Sequence, residues 1–292
     1  MNRVDHCIAS QQPPTNFSNL TAILFRAAER DDFSTLNLLQ IRGADFQALN
    51  SNGETVLHVA VRECNLRTVE FILENELLDP NTKSRGGEPP IFLTNSVTML
   101  RRLVYYGASI EETNSHGIPL LHYAASKDRY RIARVLIKVF KQDVNMRDLE
   151  EKTPLHFAAI LEHADTADVL LQLGADVDAQ TDRMHTPLHY AVIGKHKTNE
   201  VAKLLLGPFG NARYNLKDSS GNTALDLAAV NSIENQLNGV KNSLLSATRL
   251  NPARVHRSRN KLRASISFPV KNRNNLRRSP LADRSINLSR RP

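Results

Sequence analysis

One short phrase, Thr-Pro-Leu-His-x-Ala, recurs along the chain at a spacing of about 33 residues. The best copies begin at Thr153 and Thr186, and two further good copies surround His58 and His122. Including three degraded copies, the residues at the histidine position are Phe25, His58, Phe92, His122, His156, His189 and Asp226. The successive intervals are 33, 34, 30, 34, 33 and 37 residues. A period of this length predicts a stack of units that bury their apolar faces against one another.

The residues within each copy predict a helix that starts at the phrase. Thr153 and Thr186 are suited to the N-cap, and Pro154 and Pro187 then occupy the first helical position, where a missing N–H removes no hydrogen bond. An amphipathic stretch follows each phrase and predicts a second helix. Three copies then end in a glycine, which tolerates the positive φ found after a helix, at Gly43, Gly107 and Gly174.

With four good copies in register, the sequence resembles the ankyrin repeat family over residues 17–246. The resemblance implies an all-α solenoid of about seven units, each with two antiparallel helices and a β-hairpin loop. Residues 1–16 are then expected to form a flexible N-terminal segment, and residues 247–292 a disordered basic tail. We expect a short first helix in the third unit, where Pro89 and Pro90 are adjacent, and degenerate capping units at both ends.

The chain offers little for catalysis or for binding a metal or cofactor. Two cysteines, Cys7 and Cys64, are too few for a disulfide scaffold or a cysteine zinc site, and no phosphate-binding glycine motif occurs. The resemblance implies that each repeat histidine bonds backbone in the adjoining hairpin. We therefore expect a protein that is not an enzyme and needs no cofactor or metal.

The location of the protein is inferred from features that are missing. The first twenty residues contain no apolar signal segment, and no run of about 18 apolar residues occurs anywhere. Together with the few cysteines, this favours a soluble protein of a reducing compartment, in the cytoplasm, the nucleus or both.

The net charge of +8 is unevenly divided along the chain. From Arg249 onward, eleven Arg and two Lys face a single acid, Asp283, so this segment carries +12 and the rest of the chain −4. Three roles for the tail stay open: a solubilising segment, a nuclear import signal, or an arm that contacts nucleic acid. The basic residues that would carry the last two roles are Arg257, Arg259, Lys261, Arg263, Lys271, Arg273, Arg277 and Arg278.

The expected function is binding of another protein, with no small-molecule substrate and with the chain acting as a monomer. The resemblance implies that the hairpin tips and the residues after the paired alanines, which border a concave groove, contact the partner. The candidate residues are Ile118, Lys127, Leu149, Glu150, Lys152, Ile160, Leu161, Arg183 and His185. Two alternatives are a regulator of a transcription factor similar to the inhibitor-of-kappa-B group, and a nuclear protein that contacts nucleic acid through its tail.

Overall fold

The computed structural model describes residues 16–193 and 199–230 of the chain. Within these ranges the structure is an all-α stack of six units and the first helix of a seventh, as the repeat pattern predicts. The helices are α1 Asn16–Glu29, α2 Phe33–Ile41, α3 Val56–Arg62, α4 Leu66–Glu74, α5 Val97–Tyr105, α6 Leu120–Ser126, α7 Tyr130–Lys138, α8 Pro154–Ile160, α9 Ala164–Gln172, α10 Pro187–Ile193, α11 Glu200–Leu206 and α12 Ala224–Val230. The eight basic residues singled out in the tail lie outside the described residues.

The first helices of the second, fourth, fifth and sixth units are seven residues long and almost entirely buried. In α8, Pro154 is the first helical residue, and the side chains of Thr153 and His156 form a reciprocal capping box at the N-terminus. Leu155, Ala158 and Ala159 of the same helix are 0% exposed. Small alanines let neighbouring first helices approach closely, and each buried leucine contributes about 2 kcal/mol of hydrophobic free energy. The phrase therefore both starts the helix and packs it into the stack.

The third unit departs from this plan where the sequence does. Its first helix is reduced to a single 3-10 turn, Pro90–Leu93, which ends at Thr94, where the backbone is extended and the hydroxyl donates to Ser96 O at 3.1 Å. The turn is short but well packed, since Ile91 and Phe92 are both 0% exposed. The guanidinium of Arg129, from the fourth unit, donates to the Phe92 carbonyl and so satisfies a group that a longer helix would have bonded.

One set of hydrogen bonds between units lies at the turns that join the two helices of a unit. The residue preceding the second helix donates its side-chain N–H to a carbonyl near the end of the preceding unit's first helix. Asn65 Nδ2 bonds Ala28 O at 2.6 Å, Arg129 bonds Phe92 O, and His163 Nε2 lies 3.2 Å from Ser126 O. Three different side chains thus fill one role at equivalent positions.

The loops between units are tight turns held by the same backbone bonds each time. In the turn after the fourth unit, Asp148 N–H donates to Lys152 O at 3.0 Å and Glu151 N–H donates to Asp148 O at 3.1 Å. Isolated bridges such as Thr113 with Pro119 are the only β pairing in the described ranges. Turns of this kind project their tips away from the helices.

Candidate functional site

The four repeat histidines link successive units through the hairpin turns. Each imidazole Nε2 donates to a backbone carbonyl about 30 residues further along the chain. The pairs are His58 with Glu88 O at 2.8 Å, His122 with Lys152 O at 2.9 Å, His156 with His185 O at 3.1 Å, and His189 with Asn222 O at 3.3 Å. The expected backbone bonds are therefore present, and the histidines rigidify the hairpins.

The environment of these imidazoles favours the neutral form. Burial lowers the pKa of His156 to about 4, more than the bond to the His185 carbonyl raises it. Burial likewise lowers the pKa of His58, His122 and His189. With Nε2 as donor, Nδ1 is left as an acceptor, and in His156 it accepts from both the N–H and the hydroxyl of Thr153 at 3.0 and 2.9 Å.

In the fourth unit, the hydrogen bonds to the Nδ1 atom of the repeat histidine are missing. Pro119 stands where Thr153 stands in the next unit, and proline has neither an N–H nor a hydroxyl to offer. The Nδ1 atom of His122 is consequently buried without a hydrogen-bond partner. An unsatisfied buried acceptor costs free energy, so His122 contributes less to stability than the repeat histidines whose Nδ1 is bonded.

An aromatic row runs across the fourth, fifth and sixth units. Tyr123, Phe157 and Tyr190 each follow the repeat histidine directly and are half-buried. The ring of Phe157 meets His122 edge-on at 5.4 Å between centroids, and Tyr190 meets His156 in the same way at 5.7 Å. Sequence analysis missed this row, although the residue after each histidine was a readable indication of it.

Basic side chains lie over the aromatic row. Lys127 Nζ is 5.5 Å from the Tyr123 ring centroid, and Lys152 Nζ is 6.0 Å from those of both Phe157 and Tyr190. Lys152 is largely buried, and burial lowers its pKa, but the 2.5 Å bond to Glu150 outweighs that effect and the pKa is raised. The Lys152 ammonium therefore stays charged at neutral pH, and both lysine side chains add cation–π attraction to the row.

A cleft of about 390 Å³ opens beside the aromatic row, between the hairpins before and after the fourth unit's helices. It brings together four of the nine candidate residues, Ile118, Leu149, Glu150 and Lys152, and adds Phe157 to them. Leu149 is 88% exposed at the tip of its hairpin. An apolar side chain held this far out in solvent, beside a cleft with an aromatic wall, is typical of an interaction surface. We call the cleft together with Tyr123, Phe157 and Tyr190 the hairpin face.

Four other candidate residues do not line this cleft. Lys127 and Arg183 are exposed, Ile160 is half-buried at the end of α8, and Leu161 is 40% exposed.

His185 differs from the other candidates because it is mainly engaged within the stack. Its carbonyl accepts the His156 bond, its Nε2 is 3.3 Å from Asp218 Oδ2, and its ring meets Tyr190 at 5.2 Å. Burial raises the pKa of Asp218, but bonds from the backbone of Asn222 and Ser220 outweigh this and lower it, so the carboxylate is ionised beside His185. The exposed part of the His185 side chain is only 18%.

Family models now place the repeats among known proteins. Models described as ankyrin repeats match residues 24–73, 91–181 and 173–248, which together cover well over half of the chain. The chain belongs to the ankyrin repeat family. Its fold is the ankyrin solenoid, and ankyrin repeats are modules for interaction with proteins.

Two solved structures share the fold of this chain. The human ASB11 ankyrin repeat domain superposes with a TM-score of 0.63 at 26% identity, covering 74% of this chain and 96% of that one. The Bcl-3 ankyrin domain gives a TM-score of 0.58 over 70% of this chain and 93% of that one. Bcl-3 is a member of the IkappaB protein family, and its 24% identity to this chain shows the fold alone.

Among curated sequences, alpha-latrocrustotoxin-Lt1a of Latrodectus tredecimguttatus is 41% identical over 88 residues. This is 30% of the present chain but only 6% of the toxin's length, so the likeness covers a small part of the toxin.

Two further findings concern the described part of the ankyrin domain. No cluster of three or more His, Cys, Asp or Glu side chains that could hold a metal ion is found there. No helix in it is both long enough and apolar enough to cross a membrane.

Cys64 is exposed at the turn between α3 and α4, with a φ of 60°.

Proposed function

We propose that this ankyrin domain binds a protein partner on its hairpin face, through the fourth to sixth units, without catalysing a reaction. The observation that carries the proposal is the cleft lined by Ile118, Leu149 and Phe157, with the side chain of Leu149 88% exposed at its edge. The protein binds this partner as a monomer inside the cell, in the cytoplasm, the nucleus or both.

The chemistry of the hairpin face indicates how a partner would be held. The cleft can take one apolar side chain of the partner, while Lys152 and Glu150 at its rim offer a positive and a negative group for polar contacts. Interfaces commonly concentrate their energy in such a central apolar contact that polar contacts surround. Because the repeat histidines fix the hairpins, little ordering free energy is lost on binding.

The direct experiment compares two substitutions that place the same charge on similar exposed aliphatic residues. Leu149→Asp puts a carboxylate on the hairpin face, and Ile41→Asp does so at the end of α2, where Ile41 is 75% exposed. We expect the wild-type chain and Ile41→Asp to retain the same protein in affinity purification, and Leu149→Asp to lose it.

Both variants should keep the wild-type melting temperature within a few degrees, because neither side chain is part of the core. Retention of the partner by a folded Leu149→Asp protein would show that the hairpin face is not the contact site.

A further inference from the structure

A band of unpaired positive charge lies on two adjacent second helices, away from the hairpin face. Helices α5, Val97–Tyr105, and α7, Tyr130–Lys138, contain no Asp or Glu. They carry five basic residues: Arg101, Arg102, Arg131, Arg134 and Lys138. The two helices pack against each other, so their charges form one surface, which we call the basic band.

The helical spacing aims these side chains outward. Arg131, Arg134 and Lys138 follow the i, i+3, i+7 spacing of one helix face and are all exposed, while Ile132, Ala133 and Leu136 on the other face are buried. On α5, Arg101 and Tyr105 are one turn apart and both exposed. Four cations and one tyrosine thus face solvent together.

Within the described part of the chain, only one residue of the basic band forms an ion pair with a carboxylate. Arg102 pairs with Glu70 at 2.8 Å, whereas no ion pair involves Arg101, Arg131, Arg134 or Lys138. The neighbouring second helices are different: α4 mixes Arg67 with Glu70 and Glu74, and α9 carries Asp165 and Asp168 without a base. An ordinary solvated face would mix both signs, as α4 does, because like charges repel.

Tyr105 adds a group that a purely electrostatic surface does not need. Its ring is 76% exposed, and Tyr106 fixes it edge-on at 5.1 Å between centroids. The Arg102 guanidinium lies 6.0 Å from the ring centroid and leaves the remaining surface of the ring to solvent. An exposed, oriented ring beside arginines is the arrangement on which an unpaired nucleobase stacks.

We propose that the basic band binds single-stranded nucleic acid, with its guanidinium groups on the phosphates and Tyr105 stacked on a base. Arginine is suited to this because its planar fork bonds phosphate oxygens in pairs. The three basic residues of α7 span about 10 Å, which covers two or three successive phosphates of one strand. The +12 charge of residues 249–292 would strengthen attraction to the same polyanion.

The test measures binding of the full-length chain to a fluorescent oligouridylate of about 20 nucleotides, by anisotropy over a range of salt concentrations. The band variant is Arg131→Gln with Arg134→Gln and Lys138→Gln. The control variant, Arg30→Gln with Arg42→Gln and Lys217→Gln, removes the same charge from exposed positions outside the band. A third protein, Tyr105→Ala, removes the stacking ring.

We expect the band variant to bind at least about tenfold more weakly and to reduce the slope of log K against log salt by about 2, because three phosphate contacts are lost. The control variant should keep the wild-type slope. Tyr105→Ala should weaken oligouridylate binding about fivefold or more while leaving binding to a duplex of equal length unchanged. All variants should retain the wild-type circular dichroism, since the changed side chains lie on the surface.

Three outcomes would overturn the proposal. If the band and control variants weaken oligouridylate binding equally, the effect comes from overall charge and not from the basic band. Loss of binding to phosphatidylserine vesicles or to polyglutamate, with oligouridylate binding intact, would assign the band to a membrane or an acidic protein. An unchanged affinity in Tyr105→Ala would remove the stacked base and, with it, the specificity for a single strand.

Discussion

His122 shows how a single missing donor weakens an otherwise regular contact. In the second, fifth and sixth units, a threonine supplies a hydroxyl 2.7 to 2.9 Å from the Nδ1 of the repeat histidine. Pro119 supplies nothing to His122, whose Nε2 still bonds Lys152 O at 2.9 Å. The hairpin with Leu149 at its tip is therefore held from one end of the imidazole only.

Restoring the donor should stabilise the domain. We expect Pro119→Thr to raise the free energy of unfolding by about 1 kcal/mol over Pro119→Val, since both restore the N–H but only threonine adds the hydroxyl. Urea denaturation of the two variants measures the difference directly. Equal stabilities would mean that the buried Nδ1 of His122 carries no penalty.

The repeat histidines also make stability depend on pH. Their pKa values in the folded protein lie below the ordinary value of 6.5, to about 4 for His156, so below pH 6.5 the unfolded chain binds more protons than the folded one. The stability that the neutral repeat histidines contribute is therefore fully present above pH 6.5, and it is lost as the pH falls toward 4. At pH 5.5, His156 alone accounts for a loss of about 1 kcal/mol.

The measurement compares urea denaturation at pH 7.5 and 5.5 for the wild-type chain and for His156→Gln. The loss of unfolding free energy between the two pH values should be smaller by about 1 kcal/mol in the variant, whatever its absolute stability. An identical loss in both proteins would contradict the neutral, buried state of His156.

At the scale of elements, the sequence predicted the parts whose residues repeat. The threonine cap, the first-helix proline and the histidine bond recur in the same phrase, so one phrase was enough to foresee the helix starts and the contacts between units. The donors Asn65, Arg129 and His163 were not foreseen, because three unlike side chains fill one position. The cleft beside Leu149 was not foreseen either, since its walls come from separate hairpins.

The 3-10 turn of the third unit should be the element where the stack opens most readily. Its backbone bonds are few, with Phe92 N–H 3.1 Å from Pro89 O and Thr94 N–H 3.4 Å from Ile91 O. We expect these two amides to exchange hydrogen faster than those of α8, because stability in a solenoid is close to a sum of unit and neighbour contributions. Equal protection in the two elements would show that side-chain packing compensates fully for the short turn.

At the scale of the whole molecule, the two proposed surfaces lie on different elements of the stack. The hairpin face belongs to the hairpins and first helices, where Leu149 and the aromatic row lie. The basic band belongs to the second helices α5 and α7. The repeat period predicted the stack, but not which helices would carry charge of one sign, because charge outside the phrase does not repeat.

Site-specific photo-crosslinking tests the central claim most directly. A benzoylphenylalanine placed at Leu149 in the full-length chain should form a covalent adduct with the partner, while the same group at Ile41 should form none. Both positions are exposed, so reactivity with solvent is matched and only proximity to the partner differs. An adduct from Ile41 but not from Leu149, in a folded protein that still captures its partner, would contradict binding at the hairpin face.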